Sequence, residues 1–92
     1  SVASINANYQ KVKVTLSANG TLSMSATGAS MNGRSVTAYI LASGANRTVT
    51  IPTSGSYISM CGSSLTIPSG KWAELNMECI GGIWHIAKLE QE

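Results

Sequence analysis

The chain of 92 residues contains no aspartate and no phenylalanine, and only 11% of its residues are charged, against 43% hydrophobic residues. Without aspartate, a Ser-His-Asp triad cannot form. The net charge is only +2 and no basic run occurs, so nucleic acid is not an expected partner. No apolar run approaches the roughly 20 residues of a membrane-spanning helix, so membrane insertion is not expected either.

Cysteine and histidine are scarce, which limits metal chemistry. Cys61 and Cys79 are the only cysteines, and His85 is the only histidine. A structural zinc site needs about four ligands of these kinds, so we expect no metal and no cofactor. Both cysteines lie in apolar segments, which favours free buried thiols over a disulfide.

The chain is instead rich in short segments where apolar and polar residues alternate. Residues 11–17 and 21–26 alternate in this way, and Asn19-Gly20 between them predicts a hairpin turn. Such segments recur at roughly 10-residue spacing, and no helix is indicated. The pattern predicts an all-β fold, a small antiparallel β-sandwich or barrel of about seven or eight short strands. We expect residues 1–10 to end a connecting or stem segment and residues 11–92 to form the domain.

One predicted strand, from Ser35 to Ser43, is apolar on both faces. A strand that is buried on both sides has this pattern. Small domains often gain stability by oligomerisation, so a neighbouring subunit is expected to cover one face. The candidate interface residues on this strand are Val36, Tyr39, Ile40 and Leu41.

The clearest local signal is Gly81-Gly82, a glycine pair between two alternating runs that predicts a two-residue hairpin loop. Such a loop places Glu78 opposite His85 and Cys79 opposite Trp84. The face expected to be core holds Leu75, Met77, Cys79, Trp84 and Ile86. The opposite face holds the candidate ligand-binding set: Trp72, Glu74, Asn76, Glu78 and His85.

An aromatic ring beside carboxylate, amide and imidazole groups suits a sugar, because apolar sugar faces stack and hydroxyls need hydrogen-bond partners. The alternative is an ordinary solvated sheet face. Catalysis is not expected, because four residues along a strand separate Glu74 from Glu78 by about 13 Å. Glycosidases need carboxyl groups roughly 5–9.5 Å apart. We therefore predict no catalytic residues and a protein that is not an enzyme.

Several segments resemble the C-terminal domains of bacteriophage tail fibres and tailspikes. They are Ile51-Pro52-Thr53-Ser54-Gly55, Ile67-Pro68-Ser69-Gly70, Lys71-Trp72-Ala73-Glu74-Leu75 and Gly81-Gly82-Ile83-Trp84. The resemblance covers residues 47–92 and consists largely of turn residues. It implies a homotrimeric β-domain at the distal tip of a virion fibre, acting outside the host cell. There it would bind bacterial surface polysaccharide or lipopolysaccharide.

Two other functions stay open at this point. The chain could be a trimerisation or capping domain of a longer fibre without receptor contact, or a monomeric bacterial carbohydrate-binding module. It begins Ser1-Val2 rather than with Met, which favours a fragment of a longer protein.

Overall fold

In a computed structural model, which describes residues 2–92, nine β-strands form a sandwich of two sheets. The strands are β1 (Val2–Ile5), β2 (Lys11–Leu16), β3 (Gly20–Met24), β4 (Ser35–Ala42), β5 (Arg47–Thr50), β6 (Tyr57–Ser59), β7 (Ser64–Ile67), β8 (Trp72–Ile80) and β9 (Ile83–Gln91). A single turn of 3₁₀ helix, Ala29–Met31, lies between β3 and β4. The all-β sandwich is confirmed, with nine strands in place of seven or eight.

The chain crosses from one sheet to the other at every connection except the last. One sheet has the order β1-β3-β5-β7 and the other β2-β4-β8-β9-β6. As a result β1, β3 and β5 run parallel in one sheet, and β2 and β4 run parallel in the other. A strand of the first sheet and the next strand, in the second sheet, together form one coil of the chain, and successive coils stack on each other. The sheets are therefore mixed, not antiparallel as predicted: four of the seven strand pairings are parallel.

The hairpin predicted at Asn19-Gly20 is wrong. β2 and β3 lie in different sheets, and Gly20 does not adopt the positive φ that a type I′ hairpin turn requires. Instead, Asn19 Oδ1 accepts a hydrogen bond of 2.9 Å from the Thr48 N–H, at the start of β5. The amide side chain thus ties the crossing segment to the next strand of the four-stranded sheet.

The predicted hairpin at Gly81-Gly82 is confirmed. Both glycines have positive φ, 61° and 80°, and the register places Glu78 opposite His85 and Cys79 opposite Trp84. In the five-stranded sheet this hairpin stands between β4 and β6. It therefore supplies two of the three interior strands of that sheet.

All the buried core residues that the structure describes between the sheets are apolar. Trp84 is its largest side chain, and the indole N–H donates a hydrogen bond of 2.9 Å to the Ala26 carbonyl oxygen. The predicted core face is confirmed, because all five of its residues are 0% exposed: Leu75, Met77, Cys79, Trp84 and Ile86. Both cysteines are free thiols as predicted, Cys79 buried and Cys61 half-buried.

Residues near the N-terminus also belong to this core. Ala3 and Ile5 in β1 are 0% exposed, and Ala7 is 1% exposed. The boundary expected between residues 10 and 11 therefore does not correspond to a break in the packing.

The two faces of β4 differ in their surroundings. Val36 and Ile40 point into the core and are 1% and 0% exposed, so their assignment to a subunit interface is wrong. The sandwich itself covers them, because β4 is an interior strand facing the other sheet. Tyr39 and Leu41 point outward and are half-buried.

The hairpin packs against the segment that precedes β4. A Cβ atom added at Gly82 would lie 3.3 Å from the Ala29 amide nitrogen, whereas one at Gly81 would meet no atom within 4 Å. Both positions have positive φ, so alanine at either costs about 1–2 kcal/mol of strain.

We predict that Gly82→Ala lowers the free energy of unfolding by at least about 1 kcal/mol more than Gly81→Ala, since the backbone of Gly28 and Ala29 must also shift. Urea unfolding followed by tryptophan fluorescence measures both variants. Equal losses would contradict this packing.

Candidate functional site

The outer face of the five-stranded sheet carries the whole predicted ligand-binding set. Trp72, Glu74, Asn76 and Glu78 occupy the outward positions of β8, alternating with buried residues, and His85 stands opposite Glu78 on β9. Glu78 is exposed and the other four are half-buried. The structure thus brings together, on one surface, the five residues that the sequence placed there.

Two aromatic rings stack on this face. The ring centroids of Tyr39 and Trp72 are 5.2 Å apart, with an angle of 24° between the ring planes. Leu41 lies directly opposite Trp72 across β4 and β8. We call these three residues the aromatic platform. Sequence reasoning placed Tyr39 in a subunit interface, because the pairing of β4 with β8 leaves no local signal in the sequence.

The polar residues of the predicted set differ in the hydrogen bonds and ion pairs that they form within the protein. Asn76 Nδ2 donates to Ser35 Oγ at 3.1 Å, so its amide is partly committed to holding β4 and β8 together. Glu78 and His85 form no ion pair within 4 Å; the one salt bridge among the described residues joins Lys71 to Glu92 at 3.5 Å. Glu78 and His85 are therefore cross-strand neighbours without a direct ionic contact.

A cleft of about 570 Å³ opens beside this face, between the segment after β1 and the start of β4. We call it the basic cleft. Its lining residues are Ala7, Asn8, Tyr9, Gln10, Lys11, Gly33, Arg34, Ser35 and Thr37. Tyr9 is 61% exposed, so an aromatic surface is available to a ligand. Two cationic side chains and two side-chain amides share the same cleft.

Backbone and side-chain hydrogen bonds hold one wall of the cleft. The Asn8 N–H donates to Asn6 Oδ1 at 2.9 Å, in a local Asx turn. The Ala7 N–H donates to Ser25 Oγ at 2.8 Å, and the Thr37 N–H donates to the Gln10 carbonyl oxygen at 2.8 Å. The segment that carries Tyr9 is thus tied to β4 and to the residue following β3.

The opposite wall is fixed to the C-terminal hairpin. The Cys79 N–H donates to the Arg34 carbonyl oxygen, and the Gly33 N–H donates to the Cys79 carbonyl oxygen, each at 2.9 Å. These paired bonds anchor the backbone of Arg34 at the edge of the cleft. Gly33 has a φ of 84°, which suits glycine at this turn.

Charge is distributed unevenly around the cleft. All four acidic residues lie between positions 74 and 92, and none of them lines it. Lys11, Lys13 and Arg34 form no salt bridge with any of the described residues. The cleft and its rim are therefore locally positive. Sequence reasoning missed this site, although the lack of any carboxylate before Glu74 was a usable signal.

The basic cleft and the aromatic platform form one continuous surface. Thr37 lines the cleft and lies two residues before Tyr39 on the outward side of β4. Lys13 is directly opposite Tyr39 across β2 and β4. The six-residue step from Ser35 to Leu41 spans about 20 Å of strand. This surface is long enough for an oligosaccharide rather than a single sugar.

A second feature of the same face lies along β6 and β9. Ile58, Met60 and Ile80 are exposed by 43%, 64% and 54%. Ile83 is half-buried and pairs with Ile80 across the hairpin. We call these four residues the apolar stripe. It extends from the β8–β9 turn to β6, which is the sheet edge opposite β2.

The described residues include no group of three or more His, Cys, Asp or Glu side chains placed to hold a metal ion. None of their helical segments has the length and apolar character needed to cross a membrane. Comparison with protein families, curated proteins and solved structures finds no match to this chain.

We predict that the stacked rings of Tyr39 and Trp72 stabilise the fold jointly. A double-mutant cycle with Tyr39→Ala and Trp72→Ala is expected to give a coupling energy of about 0.5–1.5 kcal/mol, as stacked aromatic pairs do. Urea unfolding followed by circular dichroism supplies the four values. A cycle of Tyr9→Ala with Trp72→Ala is the control, and coupling there as large as in the stacked pair would contradict the prediction.

Proposed function

We propose that this chain is the C-terminal domain of a bacteriophage tail fibre or tailspike and attaches the virion to bacterial surface polysaccharide or lipopolysaccharide. The observation that carries the proposal is the exposed surface in which the aromatic platform adjoins the basic cleft. The tail-fibre-like segments in residues 47–92 give the proposal its biological setting.

Attachment rests on stacking and hydrogen bonding. The apolar face of a sugar ring packs on Trp72 and Tyr39, and its hydroxyls meet Glu74, Thr37 and Lys13 nearby. These side chains stand on strands rather than on loops, so little conformational entropy is lost on binding. The proposed activity is binding without cleavage. Glu74 and Glu78 stand about 13 Å apart along β8, too far for glycosidase chemistry, and Glu90, which lies opposite Glu74, is solvent-exposed.

The domain works as a homotrimer, with the apolar stripe as the contact between copies. Three of the five exposed large hydrophobic side chains belong to this stripe, and the other two, Tyr9 and Leu89, lie outside it. Covering such a group removes apolar surface from water. Trimerisation also presents three glycan-binding surfaces at once, which raises the avidity for a repeating polymer.

A second candidate function is that of an end cap for a longer fibre. The coil formed by β1 and β2 lies at an edge of both sheets, and the inward-facing Val12 and Val14 of β2 are only partly buried. A further coil of parallel strands stacked on this edge would cover them. A cap of this kind would bind no glycan itself, so direct binding measurements separate the two functions.

We predict that Trp72→Ala weakens binding to bacterial surface glycans by about 5- to 150-fold, the loss of one central stacking contact of roughly 1–3 kcal/mol. An array of capsular and lipopolysaccharide fragments identifies a ligand, and calorimetry then measures the affinity. Thr48→Ala, on the outer face of the other sheet, is the matched control. No glycan binding by the intact domain, or equal losses in both variants, would contradict attachment through this face.

Oligomeric state gives a separate prediction. We expect sedimentation equilibrium to yield the mass of three chains for the unmodified domain. Met60→Lys and Ile80→Lys, each made separately, are expected to reduce this mass to that of a single chain. An unpaired ammonium group buried in an interface costs several kcal/mol.

Tyr9→Lys replaces an equally exposed hydrophobic residue outside the stripe and is expected to leave the trimer intact. A single-chain mass for the unmodified protein together with glycan binding would favour the monomeric carbohydrate-binding module.

A further inference from the structure

We infer that the basic cleft binds an acidic group of the polysaccharide, a carboxylate or phosphate attached to a sugar, beside the neutral sugar that stacks on the platform. This inference rests on the proposed function and names the chemical class of its ligand. Its essential residues are Arg34, Lys11 and Tyr9.

Among residues 2–92, the cationic side chains in the cleft have no salt-bridge partner. Arg34 and Lys11 line the cleft and form no salt bridge with any of the described residues. Glu78, opposite Ser35 across β4 and β8, is the acidic residue nearest the cleft in the sheet register, and it forms no ion pair with Arg34. An Arg guanidinium binds carboxylate and phosphate with two parallel hydrogen bonds, and Lys adds a point charge.

The shape of the cleft also suits a sugar that carries such a group. Its volume of about 570 Å³ lies in the range of small-molecule sites. The exposed ring of Tyr9 offers a stacking surface, and the side chains of Asn8 and Gln10 offer donors and acceptors for hydroxyls. Both walls are tied down by the hydrogen bonds described above. A ligand therefore meets a largely preformed site.

The charges on the rest of the surface favour one orientation of the bound oligosaccharide. On the platform side, Glu74 and Glu90 lie directly opposite each other across β8 and β9. Two neighbouring carboxylates repel an anion, so the acidic sugar is disfavoured there and favoured in the cleft. Charge thus favours the orientation in which the neutral sugar of a repeating unit lies on Trp72 and the acidic sugar lies beside Arg34.

The experiment is calorimetric titration of the intact domain at low ionic strength with three probes. Trigalacturonate tests the carboxylate, maltotriose is the neutral control, and glucose 6-phosphate tests the phosphate. We expect the favoured acidic probe to bind at least about tenfold more tightly than maltotriose, and the preference to fall at high salt, where charges are screened.

Two charge-neutralising variants locate the site. Arg34→Gln and Lys11→Gln are each expected to lower the affinity for the acidic probe by about tenfold, as loss of a charge-assisted hydrogen bond does. The affinity for maltotriose is expected to stay the same. Lys88→Gln removes the same unit charge outside the cleft and is the control. Its binding should equal that of the unmodified protein.

The outcomes separate this inference from the proposed function. If maltotriose binds as well as both acidic probes, or if Lys88→Gln weakens acidic binding as much as Arg34→Gln, the cleft inference is overturned. Attachment through the platform then still stands, provided that Trp72→Ala weakens maltotriose binding. If none of the three probes and no array glycan binds, both proposals fail together.

Discussion

Apolar side chains from both sheets interlock in one core, and the chain crosses this core at nearly every connection. Because consecutive strands lie on opposite sides of Trp84 and its neighbours, each strand is held by residues distant in sequence. Among the residues whose burial the structure describes, no charged or polar side chain is buried in this core. The scarcity of charge in the sequence thus matches a fold that buries one continuous apolar layer, and the charged residues are left to the surface.

This construction leaves the outer face of the five-stranded sheet as a broad surface with three zones. The basic cleft lies towards β2, the aromatic platform in the middle, and the apolar stripe along β6 and β9. The β8–β9 hairpin connects them: it carries Trp72, its Cys79 backbone anchors Arg34, and it contributes Ile80 and Ile83 to the stripe. Charge is also distributed unevenly over this face, because the carboxylates lie on the hairpin strands and at the C-terminal end, whereas Lys11, Lys13 and Arg34 lie towards β2.

Local signals in the sequence predicted what is local in the fold. Gly81-Gly82 gave the hairpin, its register and the five core residues, since a two-residue turn determines which side chains face each other. Asn19-Gly20 has the same type of turn sequence, but β2 and β3 on either side of it pack into different sheets, so no hairpin forms. Alternation alone could not predict contacts between residues far apart in sequence. Such contacts produce the parallel strand pairs, the stacking of Tyr39 on Trp72 and the basic cleft. Val36 and Ile40 were wrongly assigned to a subunit interface. A strand with two apolar faces does not reveal which of the two faces is buried in the core of its own protomer.

The account depends most on the outer face of the five-stranded sheet as the surface that meets glycan. The most direct measurement is an amide chemical-shift map of the isotopically labelled domain, titrated with whichever of trigalacturonate and glucose 6-phosphate binds more tightly. The account predicts saturable shifts in residues 8–11, 33–39 and 72–76, with the strands of the other sheet unaffected. Shifts confined to the four-stranded sheet, or spread evenly over the surface without saturation, would contradict it.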